Sequence, residues 1–149
     1  MITGAARAEA AFVVIDAKEG IRENSRRHGY MLSMLGIPQF AVVVNKMDLV
    51  GFEQSVYDAI CREYSAFLQR LNMRPAVFVP ISAIHGMNVA EKPAKMPWYD
   101  GPTVLDQFDA FHKVRPETAL PFRMPVQDVY KFTEAGDERR IFAGTVSSG

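Results

Sequence analysis

The sequence predicts an α/β fold: a parallel sheet of three strands with flanking helices, followed by the first strands of a second, β-rich domain. Three observations predict it. Residues 10–16, 41–44 and 76–81 are short apolar runs rich in β-branched residues, the pattern of strands buried on both faces. Between them lie stretches with apolar residues at three- and four-residue spacing, which read as helices. The resulting strand-helix-strand-helix-strand order requires right-handed crossovers and parallel strands.

Taken in order, residues 1–9 read as a short mixed segment of helical character with a bend near Thr3 or Gly4. The strand at 10–16 closes on Asp16, and Lys18-Glu19-Gly20 makes the turn after it. A helix is expected over 24–35, with Asn24 as N-cap, Tyr30, Met31, Met34 and Leu35 on its apolar face, and Gly36 as its stop. Pro38 resets the chain for the central strand, which runs straight into Asn45, Lys46 and Asp48. The next helix, 54–71, carries Val56, Ala59, Ile60, Tyr64, Phe67, Leu68 and Leu71 on one side; Cys61 within it reads as a small buried or half-buried side chain. A third strand, 76–81, ends in Ser82-Ala83-Ile84.

Residues 85–102 form a long irregular stretch, of the length that is usually functional or disordered. Its aromatics Trp98 and Tyr99 are expected to pin it by burial rather than to stack on a ligand. Thr103 caps a helix over 103–111 with Val104, Leu105, Phe108 and Phe111 turned inward. Pro116 and Pro121 then bracket a linker-like segment. Residues 122–130 and 141–147 read as strands joined by a charged turn at 134–140. Two strands do not stand alone in water, so they read as the start of a further domain. The division is 1–114 and 115–149.

Composition narrows the function classes. Seventeen basic residues balance seventeen acidic ones, which argues against a surface built for nucleic acid or for an anionic membrane. No apolar run approaches the roughly 20 residues of a membrane span, and Arg7 and Glu9 interrupt any signal-like start. One cysteine excludes an internal disulfide and a cysteine-based metal site, and fits a cytoplasmic location. His28, His85 and His112 lack metal-ligand spacing.

The chemistry-bearing residues follow strand ends, where open α/β sheets bind ligands. Asn45-Lys46-Met47-Asp48 matches the guanine-reading motif of GTPases. Guanine offers two adjacent donors, N1–H and the exocyclic amine, and an ionised Asp48 is acceptor-only. The Lys46 stem can lie along the base face while its ammonium stays wet. Asn45 has donors and an acceptor with which to tie neighbouring loops together. The bland alternative for such a cluster is a turn and helix cap. Ser82-Ala83 lies one strand-helix-strand unit later, where a small residue lets a backbone N–H approach guanine O6; Ile84 completes the set. No G-x-x-x-x-G-K-[ST] loop is present to cradle phosphates. Asp16 could be offered as a magnesium ligand, but reads better as a turn former.

With those residues in place, the chain resembles the translation-factor class of GTPases, from just after the second switch segment onward. Residues 1–5, Asn45-Lys46-Met47-Asp48-Leu49-Val50, Val79-Pro80-Ile81-Ser82-Ala83, residues 97–103, 121–126 and 143–146 carry the likeness. Within the class it is most similar to the GTPase (large) subunit of sulfate adenylyltransferase, through Arg26-Arg27-His28 and residues 96–103 and 139–149. The resemblance implies a partial P-loop GTPase-type sheet followed by the first strands of a β-barrel. It implies binding of GTP or GDP, with magnesium in the full-length protein, and a small catalytic subunit as partner. GTP hydrolysis would there promote formation of adenylyl sulfate from ATP and sulfate.

The family's phosphate loop, switches and catalytic histidine would lie before Met1. The chain is therefore expected to be the carboxyl half of a G domain with a sliver of barrel, unable by itself to hydrolyse GTP. The strand at 10–16 is expected to present a bare edge. Two rival readings are a translation elongation or release factor and a non-enzymatic interaction module.

Overall fold

A computed structural model describes residues 8–113, 119–131, 140–146, 148 and 149. The expected bend near Thr3, most of the 115–121 linker and most of the 134–140 turn lie outside the described residues. Two compact units divide the chain, Met1–His112 and Lys113–Gly149.

The first unit contains β1 (Ala10–Asp16), α1 (Glu23–Leu35), β2 (Gln39–Asn45), α2 (Gln54–Gln69), β3 (Phe78–Pro80) and α3 (Val104–Asp109). The strands form one parallel sheet in the order β1-β2-β3, so β2 is central and β1 an edge among the described residues. The central position explains the composition of β2. Ala41, Val42 and Val44 are fully buried, and Val43 nearly so. Val42 and Val44 face the larger core with α1 and α2, whereas Val43 joins Val79 and Ile81 on the opposite face. Each fully buried Val contributes about 1.5–3 kcal/mol relative to exposure, and the β-branched run suits a pleated, doubly covered strand. β1 alternates instead: Val13 and Ile15 are buried while Val14 is exposed.

β3 is shorter than the 76–81 expected. Ala76 and Val77 still bond to the central strand, Ala76 N–H donating to Phe40 O at 2.8 Å and Val77 O accepting from Val42 N–H at 3.0 Å. The expected helix 54–71 closes at Gln69, and Leu68 O accepts from both Leu71 and Met73 N–H beyond it.

Two helix faces differ from the expectation. On α1 the inward residues are Ser25, Gly29 and Leu32, while Tyr30 and Met34 are 51% and 88% exposed. The reason is close packing on α2. A Cβ at Gly29 would stand 2.7 Å from Phe67 Cε1 and 3.1 Å from Tyr64 Oη, and Tyr64 Oη donates to Ser25 O at 2.7 Å. Small residues therefore make the closest contact, Leu32 is buried with them, and Tyr30 and Met34 stay at the margin. The N-cap is Arg22 rather than Asn24; its N–H donates to Ser25 Oγ at 3.4 Å. Gly36 ends the helix in the left-handed region, φ 63°, which glycine adopts without strain.

On α3, Thr103 is the cap: its Oγ1 accepts from Asp106 N–H at 3.1 Å and Asp106 Oδ2 accepts from Thr103 N–H at 2.9 Å. Thr103 and Gln107 are the buried residues there, and Leu105 and Phe108, expected inward, are exposed. Six residues are too few for the 3.6-residue apolar stripe to decide which side faces in. Phe111, beyond the helix end, packs on Phe12 with centroids 5.2 Å apart.

The second unit contains β4 (Val126–Lys131) and β5 (Arg140–Gly144), paired antiparallel with an irregularity between Val126 and Asp128. All six residues of β4 are exposed. Arg123 and Ser148 exchange backbone bonds of 2.9 and 3.4 Å, and Ser148 Oγ donates to Pro121 O.

Candidate nucleotide-base site

Parallel register brings the polar strand ends together. Asp16 stands opposite Asn45, Ala17 N–H donates to Asn45 O at 2.8 Å, and Ile81 N–H donates to Val44 O at 2.8 Å. Met47 N–H then reaches back to Ile81 O at 3.1 Å. The loops leaving β2 and β3 thus run side by side at the carboxyl end of the sheet.

Side chains bind the two loops. Ser82, fully buried, donates through Oγ to Asp48 Oδ1 at 2.5 Å. Asn45 Oδ1 accepts from Lys46 N–H at 2.7 Å and from Ala83 N–H at 3.1 Å. The Ala83 N–H expected to serve guanine O6 is therefore engaged by Asn45 in this structure. Lys46 has φ 64°, a left-handed conformation uncommon for lysine, and the 3-10 turn Met47–Val50 begins directly after it. That turn swings Asp48 toward β3, and Met47 is completely buried beneath it.

The Lys46 ammonium lies 2.5 Å from Asp16 Oδ2. Asp16 Oδ1 accepts from Lys18 N–H at 2.8 Å and Glu19 N–H at 3.2 Å, the geometry of a side chain that closes a turn. Burial works against the Asp16 charge. The hydrogen bonds from Lys46, Glu19 and Lys18 outweigh it and hold the carboxyl below its ordinary range. The hydrogen bond to Asp16 and the charge of Asp16 raise the Lys46 ammonium above its usual value.

Asn45, Lys46, Asp48, Leu49, Ala83 and Ile84 line one open cleft of about 330 Å³. Ile84 is 81% exposed and Leu49 is 53% exposed, so two large apolar side chains stand at a mouth that Asn45, Lys46 and Asp48 also edge. Two neighbours of the cleft lie outside the expected site set, Leu49 in its lining and Asp16 on Lys46. Leu49 could have been found from its place next to Asp48, and Asp16 from its level position with Asn45 at the neighbouring strand end.

Trp98 and Tyr99 are remote from this chemistry. Trp98 Nε1 donates to Phe52 O at 3.1 Å, the one proton of Tyr99 Oη is within reach of Pro102 O at 3.0 Å and Phe78 O at 3.2 Å, and both rings pack on Tyr57. With Met96 fully buried, they pin the 85–102 stretch. Cys61 is half-buried, and burial pushes its thiol up to about 11, the state of an inert thiol. Among the described residues no group of three His, Cys, Asp or Glu side chains could hold a metal ion, and no helix is long and apolar enough to cross a membrane.

Comparison with known proteins gives a consistent picture. The family model described as the elongation factor Tu GTP binding domain matches residues 1–120. Bifunctional enzyme CysN/CysC of Mycobacterium tuberculosis (strain ATCC 25618 / H37Rv) is 41% identical over 150 residues, covering 100% of this chain and 24% of the relative. Sulfate adenylyltransferase subunit 1 of Laribacter hongkongensis is 39% identical over all of this chain and 30% of its own length. Elongation factor 1-alpha of Methanopyrus kandleri is 41% identical over all of this chain and 35% of its own length. The chain thus spans a quarter to a third of these curated relatives. The crystal structure of Sup35 complexed with GDP superposes with a TM-score of 0.65 at 27% identity, over 100% of this chain and 39% of that one.

Proposed function

Because the chain belongs to the elongation factor Tu GTP-binding domain family, we propose that the cleft between the β2 and β3 loops reads the guanine base of GTP or GDP. The observation that carries the reading is the Asp48–Ser82 hydrogen bond at the cleft wall. An ionised carboxylate has about four lone-pair sites, so one bond from Ser82 leaves capacity for guanine N1–H and the exocyclic amine. Lys46 supplies a flat stem against the base, and Asn45 holds the two loops together. Ser82 positions Asp48, Ala83 N–H turns from Asn45 to O6 when the base enters, and Ile84 covers the base edge. In the full-length protein magnesium would accompany the phosphates of the bound nucleotide.

The residue set suits guanine rather than adenine, whose Watson–Crick edge would set an acceptor against Asp48. Fluorescence titration with GDP and ADP tests this. The expected result is preference for GDP in the wild type and for xanthosine diphosphate in Asp48→Asn, which replaces an acceptor by a donor opposite xanthine's extra carbonyl. Equal affinity for ADP and GDP would overturn the reading.

At the level of the whole protein, the proposed role is that of the GTPase subunit of a sulfate adenylyltransferase, partnered by a small catalytic subunit. Likeness to sulfate adenylyltransferase subunit 1 supports it, together with Arg26-Arg27-His28. The second reading, a translation factor, is supported by 41% identity to elongation factor 1-alpha, against 39% to sulfate adenylyltransferase subunit 1. Co-purification with the catalytic subunit and not with ribosomes is the result expected; the reverse would decide for the translation factor.

A further inference from the structure

Lys46 lines the cleft, whereas its charged end is held outside it by Asp16, which is not among the lining residues. Both ends of the lysine are fixed. Its backbone N–H is bound by Asn45 Oδ1 and its φ lies in the left-handed region. Its ammonium meets a carboxylate whose other oxygen already takes two backbone N–H groups. The Asp16 side chain is 19% exposed, against 52% for Lys46, so the anchor is the more buried partner. Glu19 and Asp48 also present negative charge toward the ammonium, but the contact is with Asp16.

We propose that Asp16 is a positioning residue for base recognition: by holding the Lys46 ammonium at the end of β1, it lays the lysine stem along the cleft wall before a nucleotide arrives. The proposal rests on the guanine reading and deepens it. A free lysine stem must lose its rotamer freedom when a base settles on it, at a cost to affinity. A stem already pinned at both ends has lost most of that freedom on folding. The same register that aligns Asp16 with Asn45 makes this possible, since in a parallel sheet neighbouring strands finish level. An exposed ion pair contributes little to stability; its effect here is on geometry.

The test is a double-mutant cycle on this chain, read by GDP affinity and by NMR relaxation of the Lys46 Cε group. Asp16→Asn keeps an oxygen for the turn and removes the charge; Lys46→Met keeps an apolar stem without an ammonium. Asp16→Asn is expected to mobilise the Lys46 stem and to weaken GDP binding about three- to tenfold. In the Lys46→Met background the same change is expected to leave affinity within about twofold. Equal weakening in both backgrounds would assign Asp16 to the turn alone and overturn the proposal. So would unchanged affinity in the single variant, or a wild-type Lys46 stem as mobile as that of Asp16→Asn. A chain that takes up no GDP while Asp16 still immobilises Lys46 overturns the guanine reading and leaves the clamp established as geometry.

Discussion

Ser82 Oγ donates a 2.5 Å hydrogen bond to Asp48 Oδ1, so the loop leaving one strand holds the acidic residue of the loop leaving the next. The two residues stand 34 positions apart in sequence and are brought to one point by the β2–β3 pairing. Ser82→Ala removes a bond to a charged group and is expected to cost about 1–2 kcal/mol of stability, with a larger proportional loss of GDP affinity as Asp48 loses its orientation. Urea unfolding measures the first and fluorescence titration the second. An unfolding midpoint equal to wild type would show that the bond contributes nothing.

Gly29→Ala sets two effects against each other. Alanine in a helix interior is favoured over glycine by about 1 kcal/mol, but its Cβ would stand 2.7 Å from a ring atom of Phe67. Phe67 is buried and stacked on Tyr64, with centroids 5.6 Å apart, so the ring has little room to retreat and overpacking of about 1–3 kcal/mol prevails. The variant is expected to unfold at lower urea. Met34→Gln, at a residue 88% exposed, is expected to match wild type in the same assay.

Trp98→Ala removes the hydrogen bond to Phe52 O and the ring contact with Tyr57, 5.2 Å between centroids. A loss of about 2 kcal/mol is expected for a half-buried aromatic. Faster tryptic cleavage after Lys95 is expected with it, because that lysine lies in the stretch this residue pins. Cleavage at the wild-type rate would remove the pinning role from Trp98.

The Asp16–Lys46 pair predicts the sign of two pH effects. The Asp16 carboxyl is lowered in the folded chain, so the unfolded chain takes up its proton first as pH falls. The contribution is complete above the ordinary carboxylate value of about 3.9 and is lost as pH falls from there through the folded value. The Lys46 ammonium is raised, so its contribution is complete below the ordinary value of about 10.4 and is lost as pH rises through the folded value. Urea midpoints across both windows are expected to show Asp16→Asn flattening the profile at each end. A variant profile parallel to wild type throughout would remove the linkage.

The parts of this structure that were legible in advance are those encoded by neighbouring residues. Four apolar residues followed by Asn-Lys-Met-Asp announce both a buried strand and a polar loop at its end, and the 3.6-residue stripe of Ile60, Tyr64, Phe67 and Leu68 announces the face α2 buries. The stripe misleads on α1, where Tyr30 and Met34 have helical spacing but remain exposed. Which side of that helix turns inward is settled by the bulk of Phe67 and Tyr64, more than thirty residues away in the chain.

The sequence by itself determined the α/β class, the parallel strand order and the placing of two polar loops at neighbouring strand ends. Hydrophobic period and motif spacing are local quantities, and burying those strands leaves few ways to connect them. Tertiary structure alone decided that Asp16 holds Lys46, that Ala83 N–H is bound by Asn45, and that Leu49 and Ile84 stand at one mouth. Each of those contacts joins residues distant in sequence. Its partner is selected by register and loop geometry, which a reading of neighbours along the chain does not contain.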